Sequence, residues 1–457
     1  MLLDLSRIYF HISSKRKIQF GLLILLAIFT SFLEVVSLGA VMPFIGILTQ
    51  PEEIFNSEYL QWLISTLKIE TPKQLILPIT LAFGIAALLA GVFRTLLLRI
   101  GISLSNLTGA DLSKDIYEKT LYQPYHIHLR RSSSEIISGL TQKVRSVTSV
   151  IESFVNVITS LFLLIAILLT LFYVDPLIAA LSFLTFGVSY GLIAITTKNI
   201  LNSNSEIVAN LQTKVIQNLQ EGLGSIREVL LGSTQHIFTD SYNKEMRSLL
   251  KATGDNQFIT LFPRFSLETI AMILIAILAY LISLREEGVL AALPILGAMA
   301  IAAQRLLPLL QLFYANWSNL VGNKIAIRDV LELLDQRIEI DLTSAKIPFE
   351  FRKSIKFKNL SFKYPESDDF IFLNADLEIK KGSTIGFVGE TGSGKSTGLD
   401  ILMSLLEPSD GGVFVDEIEV GLDNAASWKG LISHVPQSIF LIDSTIEDNI
   451  IFAKETK

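Results

Sequence analysis

Six membrane-crossing helices, followed by part of an α/β domain built on a phosphate-binding loop, is the fold class this sequence predicts. Three observations carry it. Half of the 457 residues are hydrophobic and only 18% are charged, against roughly a quarter charged in ordinary soluble domains. The apolar residues cluster into six runs long enough to cross a bilayer. Beyond the last run the pattern turns to short strands around one glycine-rich motif. A mean hydropathy of +0.50 excludes a disordered or collagen-like chain. The absence of cysteine excludes disulfides, Cys-ligated zinc, iron–sulfur clusters and thiol nucleophiles. A net charge of −6 argues against a nucleic-acid partner, which would be met by basic surface.

The first run covers residues 20–43 and is broken only by Glu34 and a few hydroxyls. It exceeds the ~20 residues a spanning helix needs. It is too long for a signal-peptide core and lacks a small-residue cleavage site, so it reads as a retained anchor. Further runs fall at 75–98, 150–174, 177–197, 265–284 and 289–314. Little more than Asp175-Pro176 separates the third from the fourth, which predicts a tight hairpin. Basic residues sit before the first run (Arg7, Lys15, Arg16, Lys17), in the second loop (Lys114, Lys119, Arg130, Arg131) and in the fourth (Lys198, Lys214, Arg227, Lys244). The first loop is acidic instead, with Glu52, Glu53, Glu58 and Glu70. The bias of Lys and Arg toward the cytoplasm predicts that both termini and the two long loops are cytoplasmic. The hydrophobic period in those loops is helical, so the membrane helices are expected to continue into the cytosol. We place the membrane domain at 1–330, a linker at 331–352 and the α/β part at 353–457. Within the last, strands are expected at 355–357, 370–373 and 383–388.

The strongest chemical signal is Gly389-Glu390-Thr391-Gly392-Ser393-Gly394-Lys395-Ser396-Thr397. It fits G-x-x-x-x-G-K-[ST] after an apolar segment and before a helical run. Binding phosphate requires inward backbone N–H groups, which glycines permit through positive φ, and a helix N-terminus aimed at the anion. It also requires a fixed cation, Lys395, and a hydroxyl, Ser396, to hold Mg²⁺. Gly398 is an oddity early in the following helix, costing ~1 kcal/mol relative to Ala. Upstream, Tyr364 could stack on an adenine ring or simply pack. Downstream, Gln437 lies between apolar runs and could reach a metal or an attacking water. The segment Val413-Phe414-Val415-Asp416-Glu417 mimics a metal-binding strand end. His126 and His128 have no metal-ligand partners at suitable spacing.

Six spans with long inward loops, then a tyrosine, the P-loop and Val435-Pro436-Gln437 in this order, resemble an exporter-type ABC transporter subunit. The resemblance covers essentially the whole chain. It implies an exporter-type all-α membrane domain joined to part of a P-loop ATPase domain. It assigns Tyr364 to adenine stacking, Gly389–Thr397 to the Walker A motif, and Gln437 to the Q-loop glutamine that contacts Mg²⁺ and the catalytic water, and it implies an ordinary antiparallel strand and turn at 413–417, before Gln437. It implies ATP and Mg²⁺ as cofactors, a second transporter subunit as partner (a homodimer), and an inner-membrane location. Short coupling helices are expected near 126–134 and 222–230. Ser31-Phe32-Leu33-Glu34 leading to Val41-Met42-Pro43-Phe44, with Gln123-Pro124-Tyr125, is most similar to the transporters that flip lipid-linked oligosaccharides. Peptide or drug exporters are the alternative within the family. The sequence through Lys457 holds no LSGGQ-like segment, no Walker B after Gln437 and no later switch histidine. The expectation is therefore that the chain alone keeps ATP contacts but does not turn ATP over. A truncated product, a fragment, half of a split system and a non-catalytic remnant all stay open.

Charged residues inside spans are functional candidates by default. At 1.5 Å per residue, Arg94 lies about 30 Å and Arg305 about 24 Å from the outer ends of their spans, while Arg264 begins the fifth. All three reach the cytoplasmic leaflet. Guanidinium groups suit bidentate phosphate contacts, so together they are candidates for an anion trap that holds a pyrophosphate-linked lipid. The alternative is that each snorkels to the interface or pairs with helix-end carbonyls. Glu34, in mid-span, reads as a substrate or coupling residue or as a partner for an arginine.

Overall fold

The computed structural model describes residues 2–40, 43–44, 47–48, 51–56, 61–67, 69–174, 176–283, 288–336, 350–365, 367–421, 423–437 and 439–451. Contacts divide the chain into two units, Met1–Leu121 with Ser132–Gln336, and Tyr122–Arg131 with Arg337–Lys457. The expected linker falls largely outside the described residues.

The first unit is helical. A short helix α1 (Leu2–His11) precedes α2 (Ser14–Gly39), and small helices α3 (Pro51–Phe55) and α4 (Gln61–Leu67) follow. The other long helices are α5 (Pro72–Leu121), α8 (Val144–Val174), α9 (Pro176–Gly224), α11 (Gln235–Ser283) and α12 (Gly288–Gly322). With α2 they carry the six apolar runs. At 1.5 Å per residue, the 50 residues of α5 extend about 75 Å, far more than the ~30 Å hydrocarbon core. The surplus is the continuation of the helix beyond the membrane that the loop periodicity predicts. Among the described residues, Ser14–Ser37, Pro72–Leu121 and Ser133–Leu169 are long and apolar enough to cross a membrane. Leu81, Ile85 and Leu88 on α5 are exposed by 56%, 59% and 64%. Leucine and isoleucine left outside at this density suit a lipid surround, where no driving force buries them.

Between the long helices lie α6 (Tyr125–Arg130), grouped with the second unit, and α7 (Ser133–Ser138). A π-helical turn, Gly139–Lys143, runs from α7 into α8. In the fourth loop α10 (Ile226–Leu231) interrupts the long helices. The short segments α6 and α10 overlap the two stretches where coupling helices are expected, 126–134 and 222–230. The amphipathic helix α13 (Lys324–Leu334) packs its buried Ile327, Val330 and Leu331 with Ile8 of α1, Ile116 of α5 and Val147 of α8. Gly139 is required there, because an added Cβ would lie 2.5 Å from Leu333 Cδ1. Lys143, 7% exposed, pairs with Asp329. Asp335, just past α13, accepts from Arg7 and pairs with His11 at 2.8 Å.

The second unit is an antiparallel sheet ordered β2-β1-β3-β4. Its strands are β1 (Ser354–Phe362), β2 (Phe372–Lys380), β3 (Asp410–Val415) and β4 (Ile418–Glu419). Central β1 pairs Ser354 with Lys380 and Ile355 with Val415. Helix α14 (Lys395–Leu402) sets Ile401 against Phe357, Leu360, Phe362 and Val413. Short α15 (Ala425–Lys429) buries Trp428, whose indole N–H donates to the Leu402 carbonyl at 2.9 Å. A final α16 spans Ile446–Ile451.

The expected strand at 383–388 does not form: this segment is not in the sheet. Its hydrophobic content is strand-like, but no neighbouring strand among the described residues pairs with it. Val388 is accordingly 96% exposed, with Ile385 at 40%.

Candidate functional site

The loop from Gly389 to Gly394 turns directly into α14. Gly392 and Gly394 have φ of +89° and +84°, a region in which an L side chain is strained. Gly394 caps α14 in the left-handed conformation. A Cβ there would lie 2.5 Å from Ile371 Cγ2, and one at Gly389 would meet Ser393 Oγ at 2.6 Å. The oddity at Gly398 has the same origin. Its Cβ would sit 3.3 Å from Phe372 Cζ, so the glycine lets α14 approach β2 closely. The backbone N–H groups at the start of α14 carry the positive end of the helix dipole.

Lys395 Nζ donates to the carbonyls of Gly389 at 2.8 Å and Glu390 at 2.6 Å, and lies 3.4 Å from Ser393 Oγ. Its ammonium curls back over the loop and is held by neutral oxygens. No carboxylate is among these partners, so an anion would be its counter-charge. Ser396 is the second residue of the helix, and Thr397 is buried. Tyr364 lies beside them, its hydroxyl 3.4 Å from Thr397 Oγ1 and its ring edge-on to Phe362 at 5.1 Å. The residues fit a nucleotide with its metal: glycines that clear space, a helix N-terminus, one cation and one hydroxyl.

Gln437 is exposed, and no hydrogen bond joins it to the P-loop among the described residues. Its segment does come near α14. Burial raises the Asp400 carboxyl above the usual range, and the neighbouring His434 partly offsets that. Asp416 and Glu417 sit at the β3–β4 turn with positive φ, not at a metal site. Burial disfavours the Asp416 charge, but N–H donors from Ser354, Arg352 and Lys353 outweigh it and hold its carboxyl below the usual range. Glu417 is held down to about 2 by hydrogen bonds from Lys356 and Lys358. Both acids clamp the turn onto β1, the structural role expected from their position before Gln437.

In the first unit, Arg94 of α5 lies 3.6 Å from Glu34 of α2, the carboxylate being 14% exposed. Arg264 of α11 donates to Glu268, one turn along, at 3.0 Å. Both arginines are thus paired with carboxylates, yet their side chains stay 65% and 52% exposed. The side chain of Arg305 lies outside the described residues. Sequence reasoning missed the wall that Ile371 and Phe372 raise against the P-loop, because β2 is remote from the motif in the chain. It also missed a cavity between α8, α9, α11 and α12 whose wall mixes Asn, Gln, Ser and Thr with Val208 and Leu261. The clustering of Asn, Gln, Ser and Thr just past the apolar runs was the available signal.

A phosphate-binding loop on a small α/β unit, encoded behind a bundle of membrane-crossing helices, defines a multi-pass membrane protein with a nucleotide-binding domain. Residues 18–303 match the ABC transporter transmembrane region and residues 372–457 the ABC transporter family. The chain belongs to the ABC transporters. It is 23% identical to an ATP-dependent lipid A-core flippase of Wigglesworthia glossinidia brevipalpis, over 76% of this chain and 59% of the relative. A lipid A-core flippase of Bordetella pertussis is also 23% identical, over 74% and 54%. The chain thus spans somewhat more than half the length of these curated relatives. In fold it is similar to a bacterial Atm1-family ABC exporter solved with ATP bound. The TM-score is 0.70 at 18% identity, over 97% of this chain and 74% of that one.

Proposed function

We propose that this chain is a subunit of an ATP-driven exporter-type transporter that flips a lipid with an anionic, pyrophosphate-linked glycan head across the inner membrane. The observation that carries the energy-coupling part is the P-loop: an ammonium held by neutral carbonyls, two left-handed glycines and a helix start. Lys395 and the backbone N–H groups of the loop would hold the phosphates, Ser396 and Gln437 the Mg²⁺, and Tyr364 the base. The bound nucleotide supplies the free energy for transport. Two transporter subunits would act together, with both termini in the cytoplasm, and ATP turnover would need a signature segment and a Walker B carboxylate besides the residues named here.

The lipid part of the reading is supported by the exposure that Arg94 and Arg264 keep despite their carboxylate partners and by relatives named as lipid A-core flippases; the two would lie at the cytoplasmic leaflet. Glu34 partly neutralises Arg94, so this arginine is an attenuated rather than a full anion site. Arg264 and Arg305 would complete the trap. The test is a flipping assay in proteoliposomes with a fluorescent isoprenyl-pyrophosphate glycan, using a full-length relative that carries the equivalents of Arg94, Arg264 and Arg305. Replacing the three by alanine is expected to abolish ATP-dependent flipping. Unchanged flipping overturns the anion trap, and transport of a hydrophobic dye in place of the glycolipid favours the drug-exporter reading.

A further inference from the structure

We propose that the cavity between α8, α9, α11 and α12 receives the neutral sugar portion of the head group. The proposal rests on the glycolipid reading above and adds where, and by which chemistry, the glycan is held. The cavity is about 460 Å³, within the range of small-molecule sites. Its wall includes Gln212, Asn256, Gln257, Thr260, Ser318 and Asn319, and no charged side chain lines it. By residue number these positions lie 4 to 15 residues beyond the cytosolic ends of their apolar runs.

The hydrogen bonding leaves capacity unused. Asn319 Nδ2 donates to Ser149 Oγ at 2.8 Å and Ser153 Oγ at 2.7 Å. Thr260 and Ser318 share one bond of 2.9 Å, and Asn204 donates to Asn256 Oδ1 at 2.8 Å. Gln212 Oε1 is buried with no partner. Gln257 forms no side-chain hydrogen bond among the described residues. A primary amide brings two donors and two acceptor lone pairs, and a buried one left unpaired is costly. Sugar hydroxyls are both donors and acceptors and carry no charge. Uncharged amides therefore suit them better than ammonium or carboxylate groups would.

The anionic half of the ligand has a place beside this wall. Residues 253, 257, 260 and 264 recur at helical spacing on one face of α11. Arg264 therefore follows Thr260 by one turn, about 6 Å along the axis. Neutral amides at the cytosolic end and a guanidinium next to the bilayer match the order glycan, pyrophosphate, lipid.

Calorimetric titration of the full chain in lipid nanodiscs tests this. The probes are a short-chain isoprenyl pyrophosphate, bare or carrying a disaccharide, and the free disaccharide. The disaccharide form is expected to bind about tenfold more tightly, the value of one or two net hydrogen bonds. Gln212→Leu and Gln257→Leu should each remove most of that difference and leave the bare probe unchanged. Gln257 is exposed on its helix, so its variant serves if Gln212→Leu does not fold. A disaccharide advantage that survives both substitutions, or none in the wild type, overturns the proposal. If the free disaccharide binds through the glutamines while the bare pyrophosphate does not bind, the cavity assignment stands and the pyrophosphate reading falls.

Discussion

Three glycines around the phosphate loop differ in what a methyl group would meet, so alanine at each should weaken nucleotide binding by a different amount. Gly392 has φ +89° with nothing within 4 Å of its added Cβ. Its alanine variant bears only the left-handed backbone, about 1–2 kcal/mol. Gly394 has φ +84°, and its Cβ would lie 2.5 Å from Ile371 Cγ2 and 3.3 Å from Phe372 Cζ. Overpacking of that kind adds about 1–3 kcal/mol. Gly398 has ordinary helical φ and meets only Phe372 Cζ at 3.3 Å. There the ~1 kcal/mol helix preference of Ala over Gly offsets the contact. If each variant loop relaxes when empty and the nucleotide must restore it, the cost appears in affinity, at about 1.4 kcal/mol per decade. The expected losses are about tenfold for Gly392→Ala, about a hundredfold or more for Gly394→Ala, and under about threefold for Gly398→Ala. The assay is equilibrium titration of a fluorescent ATP analogue with the chain in nanodiscs. Equal affinities for Gly392→Ala and Gly394→Ala would refute the reasoning, because it would mean Ile371 does not confine the loop.

Other outcomes follow from the same structure. Asp329→Asn leaves Lys143 buried without its counter-ion. It should destabilise the membrane unit by about 2–3 kcal/mol, below the 3–5 typical of fully buried pairs, read as a lowered unfolding midpoint. A double Lys143→Met, Asp329→Leu variant should recover most of the loss. Glu417→Gln should leave nucleotide binding unchanged, since the residue clamps a turn. Its folded pKa is depressed from 4.5 to about 2, so its contribution is present above pH 4.5 and is lost as pH falls toward 2. Wild type and Glu417→Gln should therefore differ in thermal unfolding at pH 6 and converge near pH 2. Glu34→Gln removes the negative partner of Arg94 and should tighten binding of an isoprenyl pyrophosphate; weaker binding would show that Glu34 positions the arginine rather than masking it.

The parts of this fold written in local sequence were legible before any coordinates. Each apolar run lies on its own long helix, because length and composition alone decide whether a segment suits lipid. The P-loop was legible because its glycines, lysine and serine act within nine consecutive positions. What depends on partners remote in the chain was not legible. Residues 383–388 carry a strand-like apolar run, yet strand formation needs a neighbour and none pairs with them. The need for Gly398 became clear only when Phe372 was found against it, and that for Gly139 when Leu333 was. The helical α1 and its Asp335 partner, on opposite sides of the membrane domain in sequence, were invisible for the same reason. Charge in the spans marked Glu34 as a substrate or coupling residue or a partner for some arginine, without saying which; the structure places it 3.6 Å from Arg94. The amide-lined cavity draws on four helices, each contributing residues that look ordinary alone.

The claim on which the account turns is that Lys395 and the loop around it grip the phosphates of ATP. Filter binding of labelled ATP, with Mg²⁺ present, to the nanodisc-embedded chain and to its Lys395→Ala variant measures this directly. Saturable binding that falls about ten- to a hundredfold in the variant, as loss of a charge-assisted contact requires, is the predicted result. Equal binding by the two proteins, or no saturable binding by the wild type, would contradict it.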